Sequence, residues 1–460
     1  MILSKLLKGL DIRVLGNRCS IHLSYGATLN WKGVGLRRSF NSSYRILREG
    51  RRLRNPVARS AKRGPFDGAA LPDHRNEQSK IGTCATPLAE EPHRNERGLV
   101  TPMKALLLKE YLKLELADLP QPQPGPHEVL VRVAACGICG SDVHGYDGTS
   151  GRRIPPIVMG HEAAGLIAAT GSDVTRFKTG DRVTFDSTVY CGACPFCKRG
   201  EVNLCDRREV IGVSCGDYRR AGAFAEYIAI PERILYRLPD AMSFPEAAML
   251  EAVSVALHGV HVSGAMKGQT ALVVGAGMIG LLTMQAARAA GCARVMIADI
   301  DETRLNLART LGADEVLRCS GAELTKEVLR LTDGIGVDVV LEAVGRNETI
   351  AASIDCVRKG GTVTLIGNIT PEVTLPLQKV VSRQIRLQGS AASSGEYPEA
   401  IDLVASGKIQ VKPMITAIAP LEDGPRWFER LYAHEPNLMK VVLTAGMEDS
   451  TATAAVGGSR

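Results

Sequence analysis

At 460 residues, with 45% hydrophobic and 23% charged side chains, the chain is long enough for two or more domains with sizeable cores and has an ordinary soluble composition. Its net charge of +7 is uneven: residues 1–102 carry 19 Lys and Arg against 8 Asp and Glu, a balance of +11, and the rest carries 37 against 41, a balance of −4. The body is thus mildly acidic, which argues against nucleic acid as its partner, and twelve Cys without a clear secretory signal read as reduced thiols and metal ligands.

Residues 1–102 show neither helical nor alternating periodicity, and little stable core is expected there. An organelle-targeting segment, a basic tail for an anionic partner and a start placed too far upstream of Met103 are the three readings of this extension. From Met103 onward the pattern is regular. Strands are expected over 103–116, 128–135, 163–170, 181–185 and 223–230, separated by Gly- and Pro-containing turns, which makes this part β-rich with irregular loops.

Two of those loops carry chemistry. Cys139 lies in Gly137-Ile138-Cys139-Gly140-Ser141-Asp142-Val143-His144, and His161 and Glu162 follow Gly160. Thiolate, imidazole and carboxylate are the ligand types of a catalytic zinc, where three protein ligands leave a position open. Buried Cys and solvated Glu are common without a metal, so this motif alone does not decide. Cys191, Cys194, Cys197 and Cys205 form C-x2-C-x2-C-x7-C in one Gly- and Pro-containing loop. Four thiols at that density suit a closed structural zinc site, and the spacing differs from ferredoxin patterns.

Beyond Glu251 the texture changes to alternating strands and helices. A strand at 269–274 runs into Gly275-Ala276-Gly277-Met278-Ile279-Gly280 and an apolar helix reaching Ala290. The uncharged stretch from Gly268 to Ala287 is long enough to raise the question of a membrane span, but its glycines mark a strand-to-helix junction instead, and no span is read. A second strand, 294–298, ends at Asp299, 19 positions beyond Gly280. In that context the glycines predict a dinucleotide turn with pyrophosphate at the helix N-terminus. Asp299 would accept from both ribose hydroxyls and repel a 2′-phosphate, which predicts NAD over NADP. A helix at 302–311, a strand at 315–317, a helix at 322–331 and strands at 337–341 and 362–366 complete a doubly wound α/β sheet. Residues 447–460, small and polar, are expected to be disordered.

Together these four motifs, in this order, resemble the zinc-dependent medium-chain alcohol dehydrogenases, and within them the polyol branch typified by sorbitol, galactitol-1-phosphate and threonine dehydrogenases. The resemblance covers about 103–446. It implies a GroES-like β-barrel catalytic domain (103–255), a Rossmann NAD-binding domain (256–391), a return to the catalytic domain (392–446), the basic extension (1–102) and a tail (447–460). Carried over residue by residue, it implies that Cys139, His161 and Glu162 hold a catalytic zinc, with Glu251 either completing the shell or holding a bound water. The family places Pro after that Glu; this chain has Ala252. It further implies that Ser141 passes on the substrate proton and His144 continues the relay. Gly275, Gly277, Ile279, Gly280, Asp299 and Arg304 would serve the adenosine and pyrophosphate, and Ile366 and Gly367 the nicotinamide. Cys136 is expected to be a small buried residue, and His258 and His261 packed or solvated rather than catalytic.

The expected function is NAD-dependent oxidation of a secondary alcohol in a polyol, sugar alcohol or sugar-alcohol phosphate, by a cytoplasmic homodimer or homotetramer with one catalytic and one structural zinc and no membrane or nucleic-acid partner. L-Threonine 3-dehydrogenase and butanediol-type dehydrogenases are the alternatives among enzymes. A zinc-ribbon nucleic-acid binder is the alternative of another class, and it leaves the dinucleotide turn without purpose.

Overall fold

The computed structural model describes residues 101–214 and 219–446, together with three short strands, Asp11–Leu15, Arg18–His22 and Thr28–Lys32, paired antiparallel in that order. Those strands form a unit by themselves and are not foreshadowed in the irregular-looking extension; the rest of that extension and the expected tail at 447–460 lie outside the described residues.

The first sheet of the main unit is built from Val-rich segments. Its strands lie in the order Leu235–Arg237, Arg182–Phe185, Glu162–Thr170, Glu128–Gly137, Lys440–Thr444 and Ile415–Pro420, with Tyr227–Pro231 also on Glu128–Gly137. Two strands near the C-terminus thus return to the sheet that begins with Glu128–Gly137, so that Val442 and Leu443 face Gly137 and Cys136. Leu106, Val131, Ile167, Phe185, Phe224 and Phe428 fill the core against it.

The stretch read as a single strand at 103–116 is two, Pro102–Glu110 and Lys113–Pro120, joined as a hairpin. The turn rests on Leu112 at φ +61, whose N–H donates to the Tyr146 carbonyl at 2.8 Å. No Gly, Asn or Pro marks it, and a tertiary hydrogen bond supports the backbone conformation that a leucine rarely adopts.

The second sheet is all parallel, in the order Glu315–Leu317, Arg294–Ala298, Thr270–Val274, Val337–Glu342, Val357–Leu365 and Arg386–Gly389. Numbered along the chain that is 3-2-1-4-5-6, the dinucleotide-binding arrangement. Helices on both faces make its strands apolar throughout: Ala271, Leu272, Val273, Val295, Met296 and Ile297 are all fully buried. The crevice at the switch point opens beyond the carboxyl ends of Thr270–Val274 and Val337–Glu342.

Helix Leu250–Ser263 joins the two sheets and runs through the domain boundary expected at 255/256. Leu250, Val253, Leu257 and Val260 are buried on it, each contributing roughly 1.5–3 kcal/mol of burial free energy. Gly264, at φ +71, ends it in the left-handed conformation that favours glycine. Helix Tyr397–Ala405 packs into the same core through Tyr397, Ala400, Ile401 and Val404. Among the described residues no helix is long and apolar enough to cross a membrane.

Candidate active site

The first cluster is assembled by strand register. Glu128–Gly137 pairs antiparallel with Glu162–Thr170 so that Gly137 faces Glu162. Cys139 therefore leaves one strand where His161 enters the other. Gly137 is required there, because a Cβ would fall 2.4 Å from Glu162 Oε2. Cys139 caps the short helix Gly140–Tyr146, and its N–H donates to Asp142 Oδ2 at 3.3 Å. One donor atom from each of Cys139, His161 and Glu162 lies within 4.8 Å of the others. His161 and Glu162 are buried and Cys139 is half-buried.

The surroundings test whether this group fits a cation. Glu162 Oε1 is buried with no hydrogen-bond partner, and so is His161 Nδ1. The latter sits 3.4 Å from Asp142 Oδ1, near enough for charge pairing but not aligned for a hydrogen bond. Burial alone would lower His161, yet Asp142 and Cys139 hold it well above its ordinary value. Burial pushes Glu251 up to about 7, with Glu162 and Asp186 adding to the rise against His161 and Lys440. Burial likewise raises Asp186 to about 6. A pocket that crowds carboxylates and favours protons is short of positive charge, and a divalent metal at Cys139, His161 and Glu162 would supply it.

Glu251 stands close by but outside the three-donor group, in the first turn of helix Leu250–Ser263, where Ser187 Oγ donates to its Oε1 at 3.4 Å. Ser141 and His144 share helix Gly140–Tyr146 and both are exposed; Ser141 Oγ accepts from Arg153 at 3.1 Å.

Three charged residues of this region carry no role in the sequence reading. Asp142 is fully buried; burial opposes its charge, but His161 and Arg153 hold it well below the usual carboxylate range. Arg153, 3% exposed, reaches Asp142 Oδ1 at 3.0 Å. Lys440 is 1% exposed and donates to Glu162 Oε2 at 2.5 Å and to the Ile138 carbonyl at 3.1 Å. The spacing of Asp142, three residues after a helix-capping Cys, is a usable signal. Arg153 and Lys440 offer none.

The second cluster is local. Cys191, Cys194, Cys197 and Cys205 offer sulfur atoms within 4.8 Å of one another. Backbone N–H groups of Ala193 and Cys194 point at Cys191 Sγ and pull that thiol down to about 6. Burial and the neighbouring thiols push Cys197 up to about 12. Sulfurs held this close together suit a cation, which would replace their protons.

At the dinucleotide crevice Gly275 has φ +99, and a Cβ on Gly280 would stand 1.8 Å from its carbonyl oxygen, so the turn cannot be built otherwise. Gly277 caps helix Met278–Ala289, and nothing lies within 4 Å of the Cβ it lacks. Ile279 is half-buried beside the turn. Asp299 Oδ2 accepts from Ala276 N–H at 2.6 Å, and Oδ1 from Ile300 and Asp301 N–H at 2.7 and 2.9 Å. It therefore holds the glycine turn as well as ending its strand. Arg304 is exposed, 3.7 Å from Asp301. Gly367 packs against Val344 and Gly345, and Ile366 against Gly259. Cys136 is buried. His258 is buried between Asn203 and Glu396, and half-exposed His261 pairs with Glu396 and Glu399.

Comparison with known proteins agrees with this geometry. Residues 125–240 match the alcohol dehydrogenase GroES-like domain, and residues 279–406 match the zinc-binding dehydrogenase family. The chain is 32% identical to sorbitol dehydrogenase of Bacillus subtilis (strain 168) over 345 residues, 74% of this chain and 97% of that protein. It is 36% identical to L-idonate 5-dehydrogenase of Vitis vinifera over 302 residues, 64% of this chain and 81% of that one. Among solved structures, a protein of Sinorhizobium meliloti 1021 described as a zinc-binding dehydrogenase, with NADP bound, superposes at a TM-score of 0.68 with 33% identity, covering 75% of this chain and 99% of its own. Zinc and a nicotinamide cofactor are the groups that this fold and these donor sets serve. The chain belongs to the zinc-dependent medium-chain alcohol dehydrogenase superfamily, in its polyol dehydrogenase branch.

Proposed function

We propose that the protein oxidises a secondary alcohol of a polyol, sugar alcohol or sugar-alcohol phosphate, passing the hydride to NAD. The observation that carries this reading is the buried group of Cys139, His161 and Glu162, with Glu162 Oε1 left without a partner, on the same chain as a dinucleotide crevice. When bound, zinc supplies Lewis-acid polarisation of the alcohol oxygen and the nicotinamide accepts the hydride.

The chain's own residues do the rest. Cys139, His161 and Glu162 hold the metal, and Asp142 sets a negative charge beside the His161 ring that Arg153 matches. Glu251, raised by burial, stands where it can take or lend a proton beside the metal. Ser141 and His144, one turn apart on an exposed helix face, offer a route for the substrate proton to solvent. Gly275, Gly277 and Gly280 leave room for the pyrophosphate, with Ile279 beside it and Arg304 near the adenosine ribose. Asp299 favours the ribose hydroxyls of NAD, and Ile366 and Gly367 border the nicotinamide. Cys191, Cys194, Cys197 and Cys205 hold a second, structural zinc.

We further propose a cytoplasmic homodimer or homotetramer without nucleic-acid or membrane partners. Strand Arg386–Gly389 ends the parallel sheet, and the nearby Leu377 and Val381 are 67% and 70% exposed, which suits self-association. The test is a turnover screen with sorbitol, galactitol 1-phosphate, butanediol and threonine, each with NAD and NADP, alongside zinc content. Fastest turnover of a polyol with NAD is expected; threonine as the best substrate would overturn the polyol assignment.

A further inference from the structure

The four-cysteine loop is tied into the interior rather than hanging from the surface. Asn203, between Cys197 and Cys205, is 6% exposed; its Nδ2 donates to the Ala391 carbonyl at 2.7 Å and faces His258 Nε2 at 3.3 Å. His258 Nδ1 lies 2.7 Å from Glu396 Oε1. Because the Asn203 amide presents N–H groups, Nε2 must accept and Nδ1 must carry the proton that goes to Glu396. Ser394 closes the joint, accepting from Val202 N–H at 3.2 Å and donating to the Gly200 carbonyl at 2.8 Å.

His258 also sits at a junction. It follows Glu251 by seven residues on one helix, about two turns along the same face. The next residue, Gly259, lets Ile366 approach so closely that a Cβ would meet its Cδ1 at 2.6 Å. One helix therefore touches the metal pocket through Glu251, the four-cysteine loop through His258 and the carboxyl end of the coenzyme sheet through Gly259. A loop needed only for folding could be sealed by apolar contacts. A buried amide and imidazole that satisfy one another instead fix a single relative position, since a small slide leaves both unpaired.

We propose that Asn203 and His258 are positioning residues that couple the four-cysteine loop to the cleft, so that the metal held by the loop sets the placement of Glu251 and Ile366 and hence turnover, in addition to stability. This rests on the reading of the cleft as a dehydrogenase site. The test compares Asn203→Ala, His258→Ala and the double variant, all in the zinc-loaded full chain, by kcat on the best polyol and by NADH affinity from nicotinamide fluorescence. Each single variant is expected to keep its zinc, to lose roughly 10-fold in kcat and to bind NADH more weakly, and the double variant is expected to be no worse than the weaker single. Wild-type kcat and NADH affinity in Asn203→Ala, or losses that add in the double variant, would overturn the coupling. Should His258→Ala not fold, His258→Gln takes its place in the same cycle. A wild-type protein that binds NADH but oxidises no alcohol would overturn the dehydrogenase reading instead, and the NADH cycle would still decide the coupling.

Discussion

The two groups of candidate metal donors differ in how they are assembled. Cys191, Cys194, Cys197 and Cys205 lie within fifteen residues of one loop, and the sulfurs of Cys191 and Cys205 already accept from backbone N–H groups in or beside that loop. Cys139, His161 and Glu162 are brought together by a strand register, and two of their polar atoms are buried without hydrogen-bond partners, among Glu251, Asp186 and Asp142. One group is closed and locally satisfied; the other is left short of a partner in a pocket with excess negative charge. Closure serves stability and an open valence serves chemistry. Removing Cys139 should therefore produce the largest functional effect. Cys139→Ser is expected to lower kcat about 10³-fold or more, the several kcal/mol that Lewis-acid polarisation supplies, while NADH still binds. Retained turnover in the steady-state assay would place the chemistry elsewhere.

How far the sequence foretells these groups follows from the same contrast. Cys139, His161, Glu162 and the four-cysteine loop are legible because their chemistry sits in short Gly-flanked motifs. The strand at 294–298 and the glycine turn before it are legible because a buried parallel strand reads as a continuous apolar run. Lys440 is not, since its meaning comes from Glu162, 278 residues away, across a strand pairing that no local pattern announces. Arg153 is invisible for the same reason: alone it reads as a surface charge, and only burial beside Asp142 gives it a function. The hairpin turn at Leu112 escapes a sequence reading because its left-handed backbone is held by Tyr146 rather than by its own residue type.

The loop should fail differently. Cys194→Ser is expected to lower the melting temperature by about 5 °C or more, because metal free energy in such a loop is folding free energy. Differential scanning calorimetry against Cys139→Ser, which should melt near the wild type, tests the contrast directly; reversed melting behaviour would exchange the two assignments.

Asp299 asks the same question of the crevice, namely whether one side chain there decides which ligand is accepted. Asp299→Ser removes the charge that disfavours a 2′-phosphate and is expected to shift kcat/KM from NAD toward NADP by roughly 10-fold. The same change cuts hydrogen bonds to Ala276, Ile300 and Asp301, so some NAD affinity should be lost as well. An unaltered cofactor ratio would leave Asp299 as a support for the glycine turn alone.

The smallest effect is expected in the parallel sheet, at a carboxylate whose partners belong to neither cysteine group. Asp338, in strand Val337–Glu342, accepts from Thr270 N–H at 2.8 Å, from Thr270 Oγ1 at 2.9 Å and from Arg358 Nε at 2.7 Å, stitching together three neighbouring strands. Burial works against its charge, but Arg358 and Thr270 outweigh it and hold the carboxyl below its usual value. A depressed carboxylate contributes stability above its unfolded pKa of about 4, and that contribution is lost as pH falls through the lower folded value. Asp338→Asn should thus cost about 1–2 kcal/mol in urea unfolding at neutral pH, with the gap to wild type narrowing below about pH 4. Turnover should stay at the wild-type level, because neither metal group nor the crevice leans on it. If this variant instead lost activity in step with stability, the separation drawn between a pocket that reacts and a framework that holds would fail, since a remote strand contact would then be setting the chemistry.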